Sequence, residues 1–351
     1  MKRIISLILL LSLVGTLLVS CKSDDPKSET TYEYFNTVCT LHSYNGESKA
    51  NFDKNVEAFL TMLEKYHKLF DIYYEYSGVN NVCTINKNAG KEPVKVSREL
   101  IDFLLYSKEM YTLTHGKVNI AMGAVLKLWH DKREESKISN RIPSIPTEAD
   151  LTSAATHTNI DNLVIDEDNL TVFLSDPEAS LDVGAIAKGY AAEKIAEYFI
   201  ERGISGYVID LGGNLRTIGK KASGNQWVTG IKNPDLTSTN QYAAKISISD
   251  TSCVTSGDYE RYYTVGGKRY HHIIDPATLY PSNHFSSVTI ITQSSALADT
   301  LSTALFCMSE EDGRTLLATC ADVEVMWIYK NGRISRTDGF DIMLIERDSD
   351  Y

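Results

Sequence analysis

The chain has 351 residues, 43% of them hydrophobic, and a formal net charge of −11. That composition fits a globular protein with an ordinary core, and the acidic balance argues against a nucleic-acid partner. Six cysteines are present without a CxxC spacing. A Cys-based zinc site is therefore not expected, and Cys39, Cys83, Cys253, Cys307 and Cys320 read as buried free thiols.

Met1-Lys2-Arg3 precedes an apolar run from Ile4 to Val19. A basic start and a run too short to span a bilayer comfortably describe a signal peptide over residues 1–20. The run ends in Leu18-Val19-Ser20-Cys21, which resembles the lipobox of bacterial lipoproteins. That resemblance implies that Cys21 is acylated and becomes the mature N-terminus. It anchors the chain outside the cytoplasm, with the periplasmic face of the inner membrane favoured. An uncleaved anchor or an ordinary secretory signal are the alternatives. Lys22-Ser23-Asp24-Asp25 starts a polar tether at once, and residues 21–31 read as the lipidated cysteine and a flexible linker. A single domain is expected over residues 32–345, with no second membrane-spanning stretch.

A first strand is expected near residues 37–43. A helix follows over 51–66, with Val56, Phe59, Leu60 and Leu63 at helical spacing. Ser97 can cap a second helix that runs to Thr114 and ends at His115-Gly116. Apolar runs at 163–165 and 170–174 flank Asp166-Glu167-Asp168-Asn169, a hairpin signal. An amphipathic helix over 186–202 stops at Gly203. Strands are expected at 207–210, 215–218, 227–231, 243–248, 262–265, 268–270, 288–292 and 323–329. Helices are expected at 295–307 and 311–320. Helices and largely antiparallel strands mix without strict βαβ alternation, which makes the fold class α+β. No GxGxxG follows a strand, so a Rossmann dinucleotide site has no support.

Three clusters carry chemistry. Leu181-Asp182-Val183-Gly184-Ala185-Ile186-Ala187-Lys188-Gly189 is a small-residue turn opening into a helix, where backbone groups and a helix N-terminus favour phosphate. Lys188 in the first helical turn is unfavourable unless an anion pairs with it. Close helix packing is the plainer account of the same residues. Asp299, Ser302 and Thr303 stand at i, i+3 and i+4, so three oxygens share one helix face as a partial cage for a hard cation such as Mg²⁺. An acidic residue near a helix start with Ser/Thr packing explains them equally. Thr255-Ser256-Gly257-Asp258-Tyr259-Glu260-Arg261-Tyr262 precedes Tyr270-His271-His272-Ile273-Ile274-Asp275-Pro276. Neighbouring histidines in a strand point to opposite faces, so one can meet a ligand as general base or phosphate partner. A core histidine satisfied by hydrogen bonds is the alternative.

Together these segments resemble the ApbE family of FAD:protein FMN transferases. Gly116-Lys117-Val118-Asn119-Ile120-Ala121-Met122-Gly123 with Leu128-Trp129, Asp210-Leu211-Gly212-Gly213-Asn214-Leu215-Arg216, and Trp227-Val228-Thr229-Gly230-Ile231-Lys232-Asn233-Pro234 extend the likeness, from about Tyr34 to Tyr329. The resemblance implies one ApbE-like domain with an FAD cleft between sub-regions. It implies Mg²⁺ held by Asp299, Ser302, Thr303 and the main-chain carbonyl of Ala185. FAD as substrate would meet Phe35, Tyr73, Lys117, Val118, Asn119, Asp182, Lys188 and Ile273, and His272 would help deprotonate an acceptor threonine. The implied reaction passes FMN from FAD to that threonine and releases AMP. The implied acceptor is a membrane redox-complex subunit. Asn119 stands where the family has Asp, Ala121 where it has Thr, Asn36 where it has Gly, and Ala277-Thr278-Leu279-Tyr280 replaces a Gly-containing turn. Asp312-Gly313-Arg314-Thr315 faintly echoes a flavin-acceptor motif, but its place at a helix start reads as capping. The competing readings are a Mg²⁺-dependent FAD pyrophosphatase, an FAD-holding lipoprotein without turnover, and a structural lipoprotein.

Overall fold

The computed structural model describes residues 25–347. Cys21 and the leader lie outside the described residues. Among the described residues no helix is long and apolar enough to cross a membrane. The strands are β1 (Lys27–Thr31), β2 (Cys39–Ser43), β3 (Val94–Lys95), β4 (Leu163–Asp166), β5 (Thr171–Leu174), β6 (Tyr207–Leu211), β7 (Asn214–Ile218), β8 (Trp227–Lys232), β9 (Tyr242–Ile248), β10 (Ser252–Gly257), β11 (Tyr262–Val265), β12 (Lys268–His271), β13 (Phe285–Thr292), β14 (Glu324–Tyr329), β15 (Ile334–Arg336) and β16 (Leu344–Arg347). The helices are α1 (Lys49–Phe70), α2 (Val82–Lys87), α3 (Arg98–Leu113), α4 (Gly123–Ser136), α5 (Glu148–Ala155), α6 (Ala187–Glu201), α7 (Ser295–Phe306), α8 (Glu310–Leu317) and α9 (Phe340–Met343).

An eight-stranded sheet runs β1-β2-β6-β7-β10-β13-β14-β15, antiparallel at every pairing. Its inner strands are apolar on both sides because both faces are covered. Ile209, Leu211, Val254, Val288, Ile290, Val325 and Trp327 join a core with α1, α6 and α7. Their alternate neighbours Val208, Cys253, Ile291, Met326 and Ile328 pack instead on Trp227, Ile231 and Ile246 of the small sheet β16-β9-β8. The period of two in side-chain direction is what divides these residues between two cores. A third cluster joins Met122, Val125 and Trp129 at α4 with Leu151, Tyr263 and Ile274. This gives a sub-region in which the β11-β12 hairpin lies on α4.

Local signals set several element ends. The Ser97 hydroxyl accepts from Leu100 N–H at the start of α3, and His115 and Gly116 follow its end at φ of 51° and 78°. The expected 163–174 hairpin forms with Leu163 opposite Leu174.

Three differences from the sequence reading have physical causes. The tether reading of residues 22–31 fails at β1, which pairs along its length with β2. An edge strand needs no apolar face, and β1 is held by backbone pairing and by Ser28 to His42 Nδ1 (2.7 Å) and Thr30 to Thr40 (3.2 Å). The interior strand β10 escaped notice because Thr255 and Ser256 look like loop chemistry, yet Thr255 bonds Thr289 across the ladder (2.8 Å). Helix α4 was hidden by a charged second half, Asp131-Lys132-Arg133-Glu134-Glu135.

Helices α6 and α7 approach most closely at Gly189, where an added Cβ would stand 2.4 Å from both Asp299 Cβ and the Ser295 carbonyl oxygen. Gly189→Ala should force the helices apart and cost about 1–3 kcal/mol through overpacking. Denaturant unfolding measures this; unchanged stability would mean that the interface adjusts without cost.

Candidate active site

The turn before α6 is the centre of the site. Asp182 N–H donates to the Ile120 carbonyl (2.8 Å), which fastens the turn to the 117–121 segment. Asp182 Oδ1 accepts from Gly184 N–H (2.9 Å). Six residues on, Lys188 Nζ lies 3.2 Å from both carboxylate oxygens of Asp299. Gly189 N–H, one of the donors that the start of a helix leaves unpaired, donates to Asp299 Oδ2 (2.8 Å). Ala185 stands before the N-cap residue Ile186, outside the helical ladder.

Asp299 is 4% exposed, so its charge is stabilised by Lys188 and Gly189 rather than by bulk water. Ser302 is buried beside it; its hydroxyl donates to the Asp299 carbonyl (2.9 Å) and lies 2.8 Å from Ser256 Oγ on β10. Thr303 is half-buried on the same helix face. This donor set is all oxygen, the preference of a hard divalent cation. It has one carboxylate, and among the described residues no group of three or more His, Cys, Asp or Glu could hold a metal. The oxygen chemistry fits a hard cation such as Mg²⁺, which Asp299, Ser302 and Thr303 would hold together with ligands from outside these side chains.

Other expected contacts stand on the far side of the turn. Tyr73 is 50% exposed and its ring lies 5.6 Å from that of His130 on α4. Asp71 Oδ1 holds the Tyr73 N–H (2.7 Å), and Asp71 Oδ2 accepts from Tyr76 (2.6 Å). Phe35 adopts a φ of 55°, and its N–H donates to His67 Nδ1 (3.3 Å), whose ring also contacts Tyr76. Phe35 and Tyr73 thus share one polar support. Lys117 pairs with Asp275 (2.8 Å) and so joins its segment to the turn after β12. Val118 is buried, and the Asn119 amide bonds Ala121 N–H and the Thr158 carbonyl (both 2.9 Å). Ile273 is buried, with its N–H on His271 Nδ1 (3.2 Å) and its carbonyl on Ser282 N–H (3.0 Å). The side chains of Val118 and Ile273 are packed in the main core, and that of Asn119 braces its own turn.

The adjacent histidines divide as their opposite directions require. His271 is buried; its Nε2 bonds the Ser282 carbonyl (2.8 Å) while Nδ1 accepts from Ile273. His272 N–H donates to the Arg261 carbonyl (3.0 Å), and its buried Nδ1 has no partner among the described residues. Burial, then the charge of Arg261, lowers the His272 pKa to about 3. Burial raises the Asp182 pKa against the opposing effects of Gly184 N–H, His130, Arg133 and Arg261.

The ApbE family model matches residues 35–327. The chain belongs to the ApbE family. A relative from Klebsiella pneumoniae named FAD:protein FMN transferase is 32% identical over 83% of this chain and 87% of its own. One of the same name from Treponema pallidum is 30% identical over 86% and 84%. The ApbE protein of Thermotoga maritima superposes with a TM-score of 0.78 at 28% identity, over 92% of this chain and all of that one. The flavin transferase ApbE of Vibrio cholerae gives 0.76 at 25% identity, over 91% of this chain and all of its own. The α+β fold with largely antiparallel strands is that of these ApbE structures.

Within this ApbE domain, Ser256 stood in a segment expected to carry chemistry but was given no role, and it touches Ser302; His130 and Arg133, which face Tyr73 and Asp182, were not expected. The i, i+3 spacing of His130 and Arg133 after Trp129 was the available signal, and their ring-to-guanidinium contact is 3.0 Å.

Because Nδ1 of His271 accepts and burial opposes charge, its folded pKa falls from 6.5 to about 4. The unfolded chain therefore takes up this proton first. The associated stability is whole above the unfolded value and is lost as pH falls from about 6.5 towards about 4. Denaturant titrations from about pH 7 to about pH 4 should show a shallower decline for His271→Gln, the difference approaching ~1.4 kcal/mol per pH unit. Parallel curves would remove His271 from the acid response.

Proposed function

We propose that this chain transfers the FMN part of FAD to a threonine hydroxyl of an acceptor protein. The observation that carries the reading is the shared turn. One stretch of backbone presents Lys188 and the Gly189 N–H towards Asp299, and Asp182 towards Tyr73 and the cleft-side arginines. Such a turn suits a ligand with a diphosphate at a helix N-terminus and an aromatic ring system beyond it. The names of the transferase relatives support the same substrate and the same group transferred.

In this mechanism the threonine oxygen forms a bond to the phosphorus on the FMN side, and the bond from that phosphorus to the bridging oxygen breaks. AMP leaves with the bonding pair. Bound Mg²⁺, held by Asp299, Ser302, Thr303 and the Ala185 carbonyl, would neutralise phosphate charge. Lys188 adds a fixed cation on the same side, and the rigid turn holds the diphosphate in place. His272 takes the threonine proton on its neutral ring. Its low pKa keeps it free of a proton near neutrality but makes it a weak base. An anionic diphosphate counters the arginine charges and raises its basicity when substrate is present. Tyr73 covers the reacting phosphate against water.

We further propose that Cys21 carries the lipid, that the domain works outside the cytoplasm, and that its acceptor is a subunit of a membrane redox complex. The lipobox-like Leu18-Val19-Ser20-Cys21 is the support for this.

Asp299→Ala removes the one anionic ligand, and metal-dependent labelling of an acceptor should fall by at least ~10²-fold, on the scale of losing one charge-stabilising group. The assay combines FAD, Mg²⁺ and an acceptor, and follows flavin on protein and free FMN. Efficient release of free FMN by the wild type without acceptor labelling would replace transfer with hydrolysis; full activity in Asp299→Ala would remove the metal assignment. Cys21→Ser should yield soluble, active enzyme, because stable anchoring needs several acyl chains. An unmodified Cys21 in the mass spectrum of the native protein would overturn the anchor.

A further inference from the structure

Arg261 immediately precedes β11, and its carbonyl accepts the His272 N–H (3.0 Å), so the two residues face each other at the base of the β11-β12 hairpin. Its charge acts on three groups from three separate parts of the chain: Tyr73 after α1, Asp182 before α6, and His272 after β12. Arg133 acts on the same three. The two arginines differ in their partners. Arg133 bonds His130 Nδ1 (3.0 Å) and lies 3.5 Å from Glu134. Arg261 is exposed, and no carboxylate among the described residues pairs with it. Asp182 is close enough to feel Arg261, yet the two form no ion pair. Arg261 thus stands opposite a histidine whose buried Nδ1 lacks a partner among the described residues, while the Asp182 carboxylate accepts from Gly184 N–H.

We propose that Arg261 is the residue that grips the phosphate under attack, its guanidinium fork donating to non-bridging oxygens from the His272 side. Lys188 stands on the Asp299 side, so the diphosphate is held between a fork and a point charge. The proposal rests on the transfer reading above. A planar fork suits this place because it fixes the orientation of the phosphate as well as its charge. Negative charge gathers on those oxygens as the bond to AMP lengthens, so the fork holds the transition state more tightly than the substrate. The same fork governs His272. The charged or titratable groups acting on that ring are Arg261, His271 and Arg133. Pairing Arg261 with phosphate cancels the largest of these charges when substrate is in place.

The test uses the full chain and the variants Arg261→Gln and Arg261→Lys. Binding of FAD is read by flavin fluorescence without metal, inorganic pyrophosphate serves as competitor, and single-turnover labelling is followed across pH. Arg261 is exposed and unpaired, so the melting temperature of Arg261→Gln should match the wild type. Arg261→Gln should bind FAD about tenfold more weakly, lose competition by pyrophosphate, and transfer ~10²–10³-fold more slowly. Arg261→Lys should restore most of the binding but only part of the rate. In Arg261→Gln the acid limb of the rate should move to higher pH, because a positive charge beside His272 is gone. Wild-type pyrophosphate competition together with an unmoved acid limb would overturn the proposal. If the wild type binds FAD but labels no acceptor, the transfer reading fails, while the fluorescence and competition measurements still judge Arg261.

Discussion

The contact between Gly189 and Asp299 is the constraint on which the site depends. A glycine in the first turn of α6 lets the neighbouring helix come within reach of the backbone, and here that neighbour delivers a carboxylate to an N–H that the helix start leaves unpaired. One hydrogen bond then has two effects. It satisfies a buried anion and it holds α6 on α7. Lys188 follows from the same geometry. A cation in the first turn opposes the helix dipole, and the Asp299 carboxylate, 3.2 Å away, compensates it. A polar network continues beneath: Glu193 on α6 accepts from Ser295 N–H (2.5 Å) at the start of α7 and lies 3.5 Å from buried Arg216 on β7. The large sheet is thus tied to both helices by polar contacts as well as by its apolar face.

Across the turn the chemistry changes character. The Asp299 side offers hard oxygen donors with a matched charge, whereas the Tyr73 side gathers aromatic rings, two arginines and a neutral histidine. A dinucleotide has the same division, with a doubly charged centre and flat, apolar ends. The turn can serve both sides because Ser180, just before it, pairs with Met122 of the α4 cluster while Lys188 belongs to a helix of the main core.

The sequence made the large elements legible where a single physical rule governs. Helix α6 is amphipathic and ends at Gly203, and the Ser97 cap and the 163–174 hairpin carry local signals that tertiary packing did not override. The shared face of Asp299, Ser302 and Thr303 was legible because a helix repeats every 3.6 residues, and an anion beside Lys188 because a cation in a first helical turn asks for one. What could not be read was long-range pairing. Ser256 lies near Ser302 only because β10 sits between β7 and β13, and no local pattern announces an interior strand of serine, threonine and glycine. Arg261 stood in a segment that carries chemistry but was given no role there, since its neighbours lie far away in sequence. Polar β1 was read as tether because periodicity detects burial, and an edge strand has little of it.

That first strand also limits where the domain can stand. With the lipid on Cys21, as proposed, only residues 22–26 lie between the anchor and β1. Even fully drawn out, such a stretch measures only about 20 Å, close to the gyration radius of a domain this size, about 20 Å. Because Lys27–Thr31 is stitched into the large sheet, that stretch cannot lengthen without peeling a strand. The enzyme would ride low over the bilayer, tumbling little and patrolling a thin layer of periplasm. Proteins floating free above that layer would pass out of its reach, so the brevity of the leash would itself choose among acceptors before any contact is made.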